Sequence, residues 1–349
     1  MAIARQKVEA YSPIGVLDLM VSSMDRGVRE VPDIIEFVTS DAYLGRPQLY
    51  PRQATLLKII FLQDELFCAD EKTEILTRRG WMPYDQVREG EDVMTLSVDG
   101  HAEWSPAERI NVFPVEDEPL VLMEGENHSS LTTPNHRWLV ERMYQSRSGN
   151  RRDIEFIETK DLQKRDRIAC AAPVANLPSE RIWDDSFVEL AAWYWTEGHA
   201  IAGLRGGIKI TQSKRVNPEY VDRIRACLID LFGPAQDSLW GSLDGPAWRE
   251  DPADGGMVSF RLNSLASEEL RFVAPGEEKI VRPDFLASLT QGQLDLYLDT
   301  SIAADGWESG GSRHLTQKSL GRIDSFQMAC SLAGVRTTVR LDATRGTSE

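Results

Sequence analysis

The chain has 349 residues, 42% of them hydrophobic and 27% charged, and a formal net charge of −16 at pH 7. This length predicts two or three domains, and no apolar run reaches the ~18 residues that a membrane-spanning helix needs. The acidic balance argues against a general nucleic-acid binder, so any DNA contact must depend on a local basic surface. The N-terminus lacks the apolar core of a secretory signal, and we expect a cytoplasmic protein.

Residues 1–67 have the pattern of helices. Apolar residues recur at helical spacing in VLDLMVSSM, DIIEFVTSDAYL and QATLLKIIFLQDELF. Pro47 and Pro51 predict a turn between the last two.

The four cysteines are far apart in the sequence and form no CxxC pair. Their spacing favours neither a zinc site nor a disulfide. We interpret Cys170, Cys227 and Cys330 as small buried apolar residues. Cys68 stands out because the pattern of the chain changes there.

From about residue 73 to 170 the chain shows short β-like runs separated by turn residues, which predicts a compact all-β domain. The runs are TEILT, DVMTLSV, PLVLME, HRWLVERM and DIEFIET. The Asp99-Gly100 pair predicts a hairpin turn. Residues 171–178 are interpreted as a linker.

After the linker, one order of elements occurs twice: a helix ending in acid-Gly, a strand containing Thr-Gln, and an amphipathic helix. The first copy is FVELAAWYWTEG, IKITQS and PEYVDRIRACLIDLFG, and the second is QLDLYLDTSIAADG, RHLTQKS and GRIDSFQMACSLAG. Between the copies, 234–258 is predicted to be a loop, MVSFRL a strand and SLASEELRFVA a helix. We interpret 181–349 as an internal duplication whose second copy is incomplete.

The acids that end the first helix of each copy point to a metal site. Glu197-Gly198 and Asp305-Gly306 occupy these ends, where glycine suits a left-handed helix cap. An acid there is unfavourable for the helix dipole, and a bound cation would offset that cost. Two such helices side by side would bring both carboxylates to one Mg²⁺, which can activate water for phosphodiester cleavage.

LAAWYWTEG and LDTSIAADG resemble the two LAGLIDADG motifs of DOD-type homing endonucleases, and their spacing of about 108 residues suits a monomer with two pseudo-symmetric halves. The resemblance implies an α+β hydrolase that cuts double-stranded DNA at a long specific site, with Glu197 and Asp305 as catalytic metal ligands. It also implies residues close to the DNA: Lys209, Gln212, Gln317 and Lys318. The first motif departs from the family pattern by its bulky Trp193, Tyr194 and Trp195.

Three earlier segments resemble the N-terminal splicing blocks of inteins, which share the Hint fold: the stretch that begins at Cys68, HSSLTTPNHRWLV, and FIETKDLQKRDRIA. The resemblance implies that the Cys68 thiol attacks the Phe67 carbonyl in an N–S acyl shift. His136 would protonate the departing amide nitrogen, and Thr133 would position the amide.

YLGRPQLYPRQATLLKIIFLQDELF resembles the N-terminal edge of phage large terminase ATPases, which implies that Gln53 contacts adenine. The predicted organisation is therefore multidomain: a helical host segment at 1–67, an all-β Hint-like domain at 68–175 and a LAGLIDADG endonuclease domain at 181–349. Such a protein would work in a phage-infected or lysogenic bacterium.

Two further hypotheses stay open. One is a terminase large-subunit fragment carrying an inactive intein remnant, although the sequence contains no GxxxxGK[ST] loop. The other is a degenerate remnant with neither activity. The chain also lacks the His-Asn ending of an intein, so we expect no splicing in cis. If the intein is split, a separate C-terminal intein partner would supply that ending.

Overall fold

The computed structural model describes residues 69–340, except for 98, 111, 113–118, 126–127, 147–148, 202–205 and 236–246. The helices expected in 1–67, together with Gln53 and Cys68, lie outside these residues. The described part is a mixed α and β structure with several small antiparallel sheets and six α-helices. None of these helices is both long enough and apolar enough to cross a membrane.

The first part of the described chain contains only strands and one short 3-10 turn. The strands are β1 Glu74–Thr77, β2 Gly80–Pro83, β3 Asp92–Leu96, β4 Ala102–Pro106, β5 Val121–Glu124, β6 Ser129–Thr132, β7 Arg137–Ser146, β8 Gly149–Glu158 and β9 Arg167–Ile168. They form three antiparallel sheets, ordered β2-β1-β3-β4, β5-β6 and β8-β7-β9. Each β-like run predicted from the sequence contains a strand. The Asp99-Gly100 turn is confirmed as well, because Gly100 has φ +85 between the paired strands β3 and β4.

The segment 171–178 is not a free linker, which corrects the sequence interpretation. Val174 forms a parallel bridge to Ala102 at the start of β4. The Ala102 amide donates to the Pro173 carbonyl at 2.9 Å, and the Ala175 amide donates to the Ala102 carbonyl at 2.8 Å. Ala172 and Val174 are buried against Ala102, so this segment is part of the packed structure.

The second part of the described chain alternates helices and strands. Its elements are α1 Asp185–Glu197, β10 Gly198–Ala200, β11 Ile208–Ser213, α2 Pro218–Phe232, β12 Trp248–Ala253, β13 Met257–Leu262, α3 Glu268–Val273, α4 Pro283–Ala287, α5 Gln291–Asp305, β14 Gly306–Ser309, β15 Ser312–Leu315 and α6 Leu320–Leu332. The order α-β-β-α therefore occurs twice, at α1–α2 and at α5–α6. One antiparallel sheet has the order β10-β11-β13-β12, and β14 pairs with β15.

Three predicted elements in this part have different boundaries in the structure. The predicted loop 234–258 contains β12, which pairs with β13 along its whole length. Pro252 is compatible with this strand because β12 lies at the edge of the sheet, where proline is tolerated. The predicted helix 264–274 is reduced to α3, and the strand predicted in RHLTQKS ends at Leu315, before Gln317.

Helices α1 and α5 pack side by side in parallel. At their first turns, the Gln293 side-chain amide donates to the Asp185 carboxylate at 3.0 Å and to the Trp183 carbonyl at 2.7 Å. Asp185 and Gln293 are 108 residues apart, which is also the separation of Glu197 and Asp305. The helices are therefore in matching register, and their last residues come to the same end.

One hydrophobic core joins the two parts of the chain. Leu76 of β1 and Trp104 of β4 belong to the same buried cluster as the side chains of α1, α5 and α6. A Cβ on Gly80 would lie 3.4 Å from Pro283 in α4, which shows how closely β2 approaches the helices. The β-sheet of the first part thus covers one side of the helical layer.

Candidate active site at the ends of two paired helices

The two predicted catalytic acids are the last residues of the paired helices, Glu197 in α1 and Asp305 in α5. Burial raises the pKa of Glu197, the negative charge of Asp305 raises it further, and the Lys279 cation opposes both. The two carboxylates are therefore close enough to repel each other. The structure brings together two groups that are 108 residues apart in the sequence.

The glycine after each acid has a different purpose from the one predicted. Gly198 has φ −81 and ψ 155, and Gly306 has φ −118 and ψ −175, so both are extended and start strands rather than forming left-handed caps. A Cβ on Gly198 would lie 2.5 Å from the Tyr194 carbonyl oxygen, and one on Gly306 would lie 2.5 Å from the His314 carbonyl oxygen. Glycine is needed here because the backbone leaves the helix through a space too small for a methyl group.

Lys279 completes the end of α1, and sequence reasoning missed it. Its Nζ donates to the carbonyl oxygens of Tyr194, Trp195 and Gly198 at 3.1, 2.9 and 2.5 Å. The Tyr194 carbonyl also accepts from the Gly198 amide, which closes the helix. Carbonyls in the last turn of a helix lack the donors of a following turn, and a cation is favourable at this end of the helix dipole. No periodicity marks this lysine in the sequence, because it lies in an irregular segment with φ +53.

Burial lowers the pKa of Lys279 to about 8, and the nearby Arg322 cation contributes to the decrease, while Glu197 and Asp305 oppose it. The lysine is only 7% exposed. A buried cation therefore lies beside the pair of acids and offsets part of their mutual repulsion.

A cleft of about 690 Å³ opens at the Asp305 side of this site. It is lined by Glu278, Asp305, Thr316, Gln317, Lys318, Ser319 and Arg322. The Gln317 side-chain amide donates to the Asp305 carboxylate at 2.5 Å. Arg322 donates to the Trp195 carbonyl oxygen at 2.5 Å and so connects α6 to α1. The predicted residues Gln317 and Lys318 thus share one cleft with the acid of the second helix.

The other two residues predicted to lie near DNA are on opposite faces of the four-stranded sheet. Lys209 is on the outer face, opposite His199 of β10 and Arg261 of β13. Gln212 is on the inner face with Ile208 and Ile210, and it is 5% exposed.

The Gln212 amide oxygen is already bound within the protein. It accepts from the Ser213 amide at 2.8 Å and from the Asn217 side chain at 3.2 Å. These contacts hold the Gln212 side chain on the inner face of the sheet, and its proximity to DNA stays a prediction.

The two carboxylates suit a Mg²⁺ site in which water and substrate supply the remaining ligands. Across the described residues, no group of three or more His, Cys, Asp or Glu side chains is arranged to hold a metal ion. Mg²⁺ in phosphoryl-transfer sites is commonly held by one or two carboxylates, with water and substrate phosphate completing the shell. Glu197 and Asp305 fit that role, and a dedicated protein cage is not required.

The residues predicted for splicing lie in a compact turn of the β part. Thr133 is buried, and its carbonyl accepts from the His136 amide at 3.1 Å. Burial lowers the pKa of His136, whose Nδ1 atom is buried without a hydrogen-bond partner in the described part of the chain. Ala69 pairs with Thr132, so the chain directly after Cys68 runs beside the strand that leads into this turn.

Thr159 joins the same turn, and sequence reasoning missed it. Its hydroxyl lies 3.1 Å from that of Thr132 and accepts from the Trp138 indole at 2.9 Å. Its amide donates to the His136 carbonyl at 2.8 Å. These contacts fix the backbone on which His136 sits.

No protein-family model matches this chain. A search of curated proteins also finds no match. Any functional conclusion must therefore come from the arrangement of the residues themselves.

The structure confirms two of the three predictions of buried cysteines. Cys227 and Cys330 are buried as predicted, and burial raises the pKa of both thiols. Cys170 is exposed, so the prediction for that residue was wrong. It follows the short strand β9, where no neighbouring element covers it.

Proposed function

We propose that this chain is a metal-dependent DNA endonuclease of the LAGLIDADG type, joined to an N-terminal protein-splicing domain. One observation carries the endonuclease proposal: Glu197 and Asp305 end two parallel, matched helices and lie close enough to influence each other electrostatically. A carboxylate pair partly removed from water and set against a helix dipole is costly, and pairs of this kind mark functional sites more often than structural ones.

In this proposal the two carboxylates hold Mg²⁺, which supplies an activated water and neutralises charge on the phosphate. Gln317 holds the Asp305 carboxylate in place through its amide. Lys279 limits the repulsion between the two acids before the metal binds. Lys318, exposed in the cleft beside Asp305, is placed to contact a phosphate of the DNA backbone.

The outer faces of the two sheets are the proposed DNA-contacting surfaces. Each sheet begins directly after one acid, so its outer face starts beside the proposed metal site. Lys209, Arg249 and Arg261 lie on this face of the first sheet with a single carboxylate, Asp251, which pairs with both arginines. The excess of cations makes a local basic surface despite the net charge of −16. Trp307 and His314 stack with 5.0 Å between ring centroids at the equivalent position of the second. Side chains on a sheet can reach base edges in the major groove.

The splicing part of the proposal is supported by one turn of the β part. Thr133 and His136 occupy one buried turn, and the residue after Cys68 pairs beside it. We propose Cys68 as the nucleophile of an N–S acyl shift at the Phe67 carbonyl, with Thr133 and His136 activating that bond. The terminase-like origin of 1–67, including the adenine contact of Gln53, stays a prediction.

The test of the endonuclease proposal is cleavage of a supercoiled plasmid library that carries randomised duplex inserts. We expect wild-type protein with Mg²⁺ to linearise a subset of plasmids that share one long sequence. Glu197→Gln and Asp305→Asn should each abolish cutting while leaving DNA binding, and binding should weaken steeply with salt. Glu180→Gln, at an exposed acid before α1, is the matched control and should cut normally. Absence of any metal-dependent cutting by the wild type would favour the degenerate-remnant hypothesis.

A further inference from the structure

A partly buried polar contact joins three helices midway along the α1–α5 pair. Arg223 of α2 donates from Nε to the Glu189 carboxylate of α1 at 2.7 Å and from Nη2 to the Thr300 hydroxyl of α5 at 2.9 Å. Thr300 has no solvent exposure. One guanidinium therefore holds both acid-bearing helices at once.

Neighbouring side chains fix the geometry of this contact. The Trp193 indole donates to the same Glu189 oxygen at 3.3 Å. The guanidinium carbon of Arg223 lies 5.4 Å from the centre of the Trp193 ring. The planar, rigid guanidinium can serve two acceptors in fixed directions, which a lysine ammonium does less well.

The position of the Arg223 contact along α1 and α5 restrains the relative orientation of the two helices. The Gln293 contact joins α1 and α5 at their first turns. At about 1.5 Å of rise per residue, the Gln293 contact lies about 18 Å from the acids. If the helices pivoted about that contact alone, a tilt of about 3° would move a carboxylate by about 1 Å. The Arg223 contact is a second fixed point nearer to the acids, about 12 Å before Glu197 along α1 and about 7.5 Å before Asp305 along α5. Two points determine both register and crossing angle.

We propose that Arg223 is a positioning residue, which fixes α1 against α5 and thereby sets the separation of Glu197 and Asp305. The catalytic consequence rests on the proposed endonuclease function, whereas the geometric consequence does not. Because displacement of a reacting group by 1 Å can cost about 100-fold in rate, the contact would matter far more to catalysis than to stability.

The chain offers a matched control two residues away on the same helix. Arg225 donates to both Glu250 oxygens at 2.8 and 2.9 Å, and it contacts neither α1 nor α5 in the described hydrogen bonds. Its side chain is 30% exposed, against 37% for Arg223. Arg223→Met removes the ion pair with Glu189 and the connection between the helices. Arg225→Met removes ion pairs with Glu250 and with Asp222 but no connection between α1 and α5, so it is the more demanding control for lost charge pairing.

The experiment measures the distance between the helix ends directly. In the full chain, with Cys68 and Cys170 replaced by serine, nitroxide labels are placed at His199→Cys and Trp307→Cys, each two residues after an acid. Pulsed dipolar spectroscopy then gives the distribution of distances, without DNA or metal. We expect Arg223→Met to shift or broaden this distribution, and Arg225→Met to leave it unchanged.

A second pair of variants isolates the hydroxyl that receives the Arg223 bond. Thr300→Val should reproduce the Arg223→Met result, because it removes the acceptor at nearly constant volume, whereas Thr300→Ser should keep the wild-type distribution. In unlabelled protein, Arg223→Met should reduce Mg²⁺-dependent cleavage about 100-fold, and Arg225→Met should not.

Equal distance distributions in wild type and Arg223→Met, or equal changes in both arginine variants, would overturn the proposal. If the wild type cuts no DNA but the distributions differ as expected, the endonuclease proposal fails and the positioning role stands. If the wild type cuts DNA and Arg223→Met cuts equally well with an unchanged distribution, only the positioning role fails.

Discussion

A carboxylate in the last turn of an α-helix faces carbonyl groups that already carry negative potential. Glu197 has this position. Burial raises the pKa of Glu197, and the negative charge of Asp305 raises it further. Ionising Glu197 therefore costs folding free energy in the metal-free protein, and the cost is smaller when a cation is bound.

This cost gives a first prediction, Glu197→Gln. The folded pKa of Glu197 is above its unfolded value, so stability falls as pH rises through that folded pKa. At pH 8 without metal, Glu197→Gln should raise the melting temperature by roughly 2–4 °C, and the difference should vanish near pH 4. Thermal melts at both pH values measure it. An unchanged or lower melting temperature at pH 8 would contradict the proposed repulsion.

Gly198 shows a second constraint at the level of one residue. Its backbone is extended, so the need for glycine comes from the close Tyr194 carbonyl rather than from a left-handed conformation. Gly198→Ala should therefore lower the unfolding free energy by about 1–3 kcal/mol through steric overlap. Gly292→Ala, in the first turn of α5 with no atom near its Cβ, should stabilise by up to about 1 kcal/mol. Denaturant titrations compare the two, and equal effects would show that the contact at Gly198 relaxes freely.

At the scale of elements, the end of α1 depends on a residue that is distant in sequence. Lys279 donates to the carbonyl oxygens of Tyr194, Trp195 and Gly198, where the helix has no following turn. The first turn of α5, by contrast, is completed locally by Thr290 and Gln293, whose side chains bond each other's backbone amides. A local cap can be found in a sequence pattern, whereas a cap contributed by another segment cannot.

Lys279 also gives a pH prediction. Its pKa is lowered from 10.5 in the unfolded chain to about 8 in the folded protein. Between these values the unfolded chain binds more protons, so the stability contributed by this group rises with pH over that window. The difference in unfolding free energy between wild type and Lys279→Met should therefore change with pH between 8 and 10.5. Lys318→Met, at an exposed lysine of the same cleft, is the matched control for the loss of a lysine.

At the scale of the whole molecule, the β part and the helical part share one core. Leu76 and Trp104 are buried in the same cluster as the α1 and α5 side chains, and the segment 171–178 packs against β4. A splicing domain and an endonuclease that were connected only by a linker would not share buried residues in this way. Residues of the β part therefore pack against the helices that carry Glu197 and Asp305.

This shared core predicts cooperative unfolding. Leu76→Ala should lower stability by about 2–5 kcal/mol, and circular dichroism of the helices should report the loss at the same temperature as probes in the β part. Leu122→Ala, at an exposed leucine of β5, should have little effect. Two separate transitions, with the helical one unaffected by Leu76→Ala, would show that the two parts fold independently.

The sequence by itself predicted many of the helices and strands and indicated the two proposed metal-binding acids. Periodicity located α1, α2, α5 and α6, alternation located the strands β1, β3, β5, β7 and β8, and the repeated acid-Gly ends indicated Glu197 and Asp305. These features depend on residues close together in the chain. The strand β12 was missed because its Asp and Pro residues resemble a loop, and only pairing with β13 overrides that preference.

Only the tertiary structure decided which residues surround the acids. Lys279 at the end of α1, the Arg223 bridge between α1 and α5, the inward face of Gln212 and the shared core all depend on segments brought together by burial. Hydrogen bonds and packing across such distances leave no periodic mark in the sequence. Local propensities specified the elements, and the free energy gained by covering their apolar faces selected how they meet.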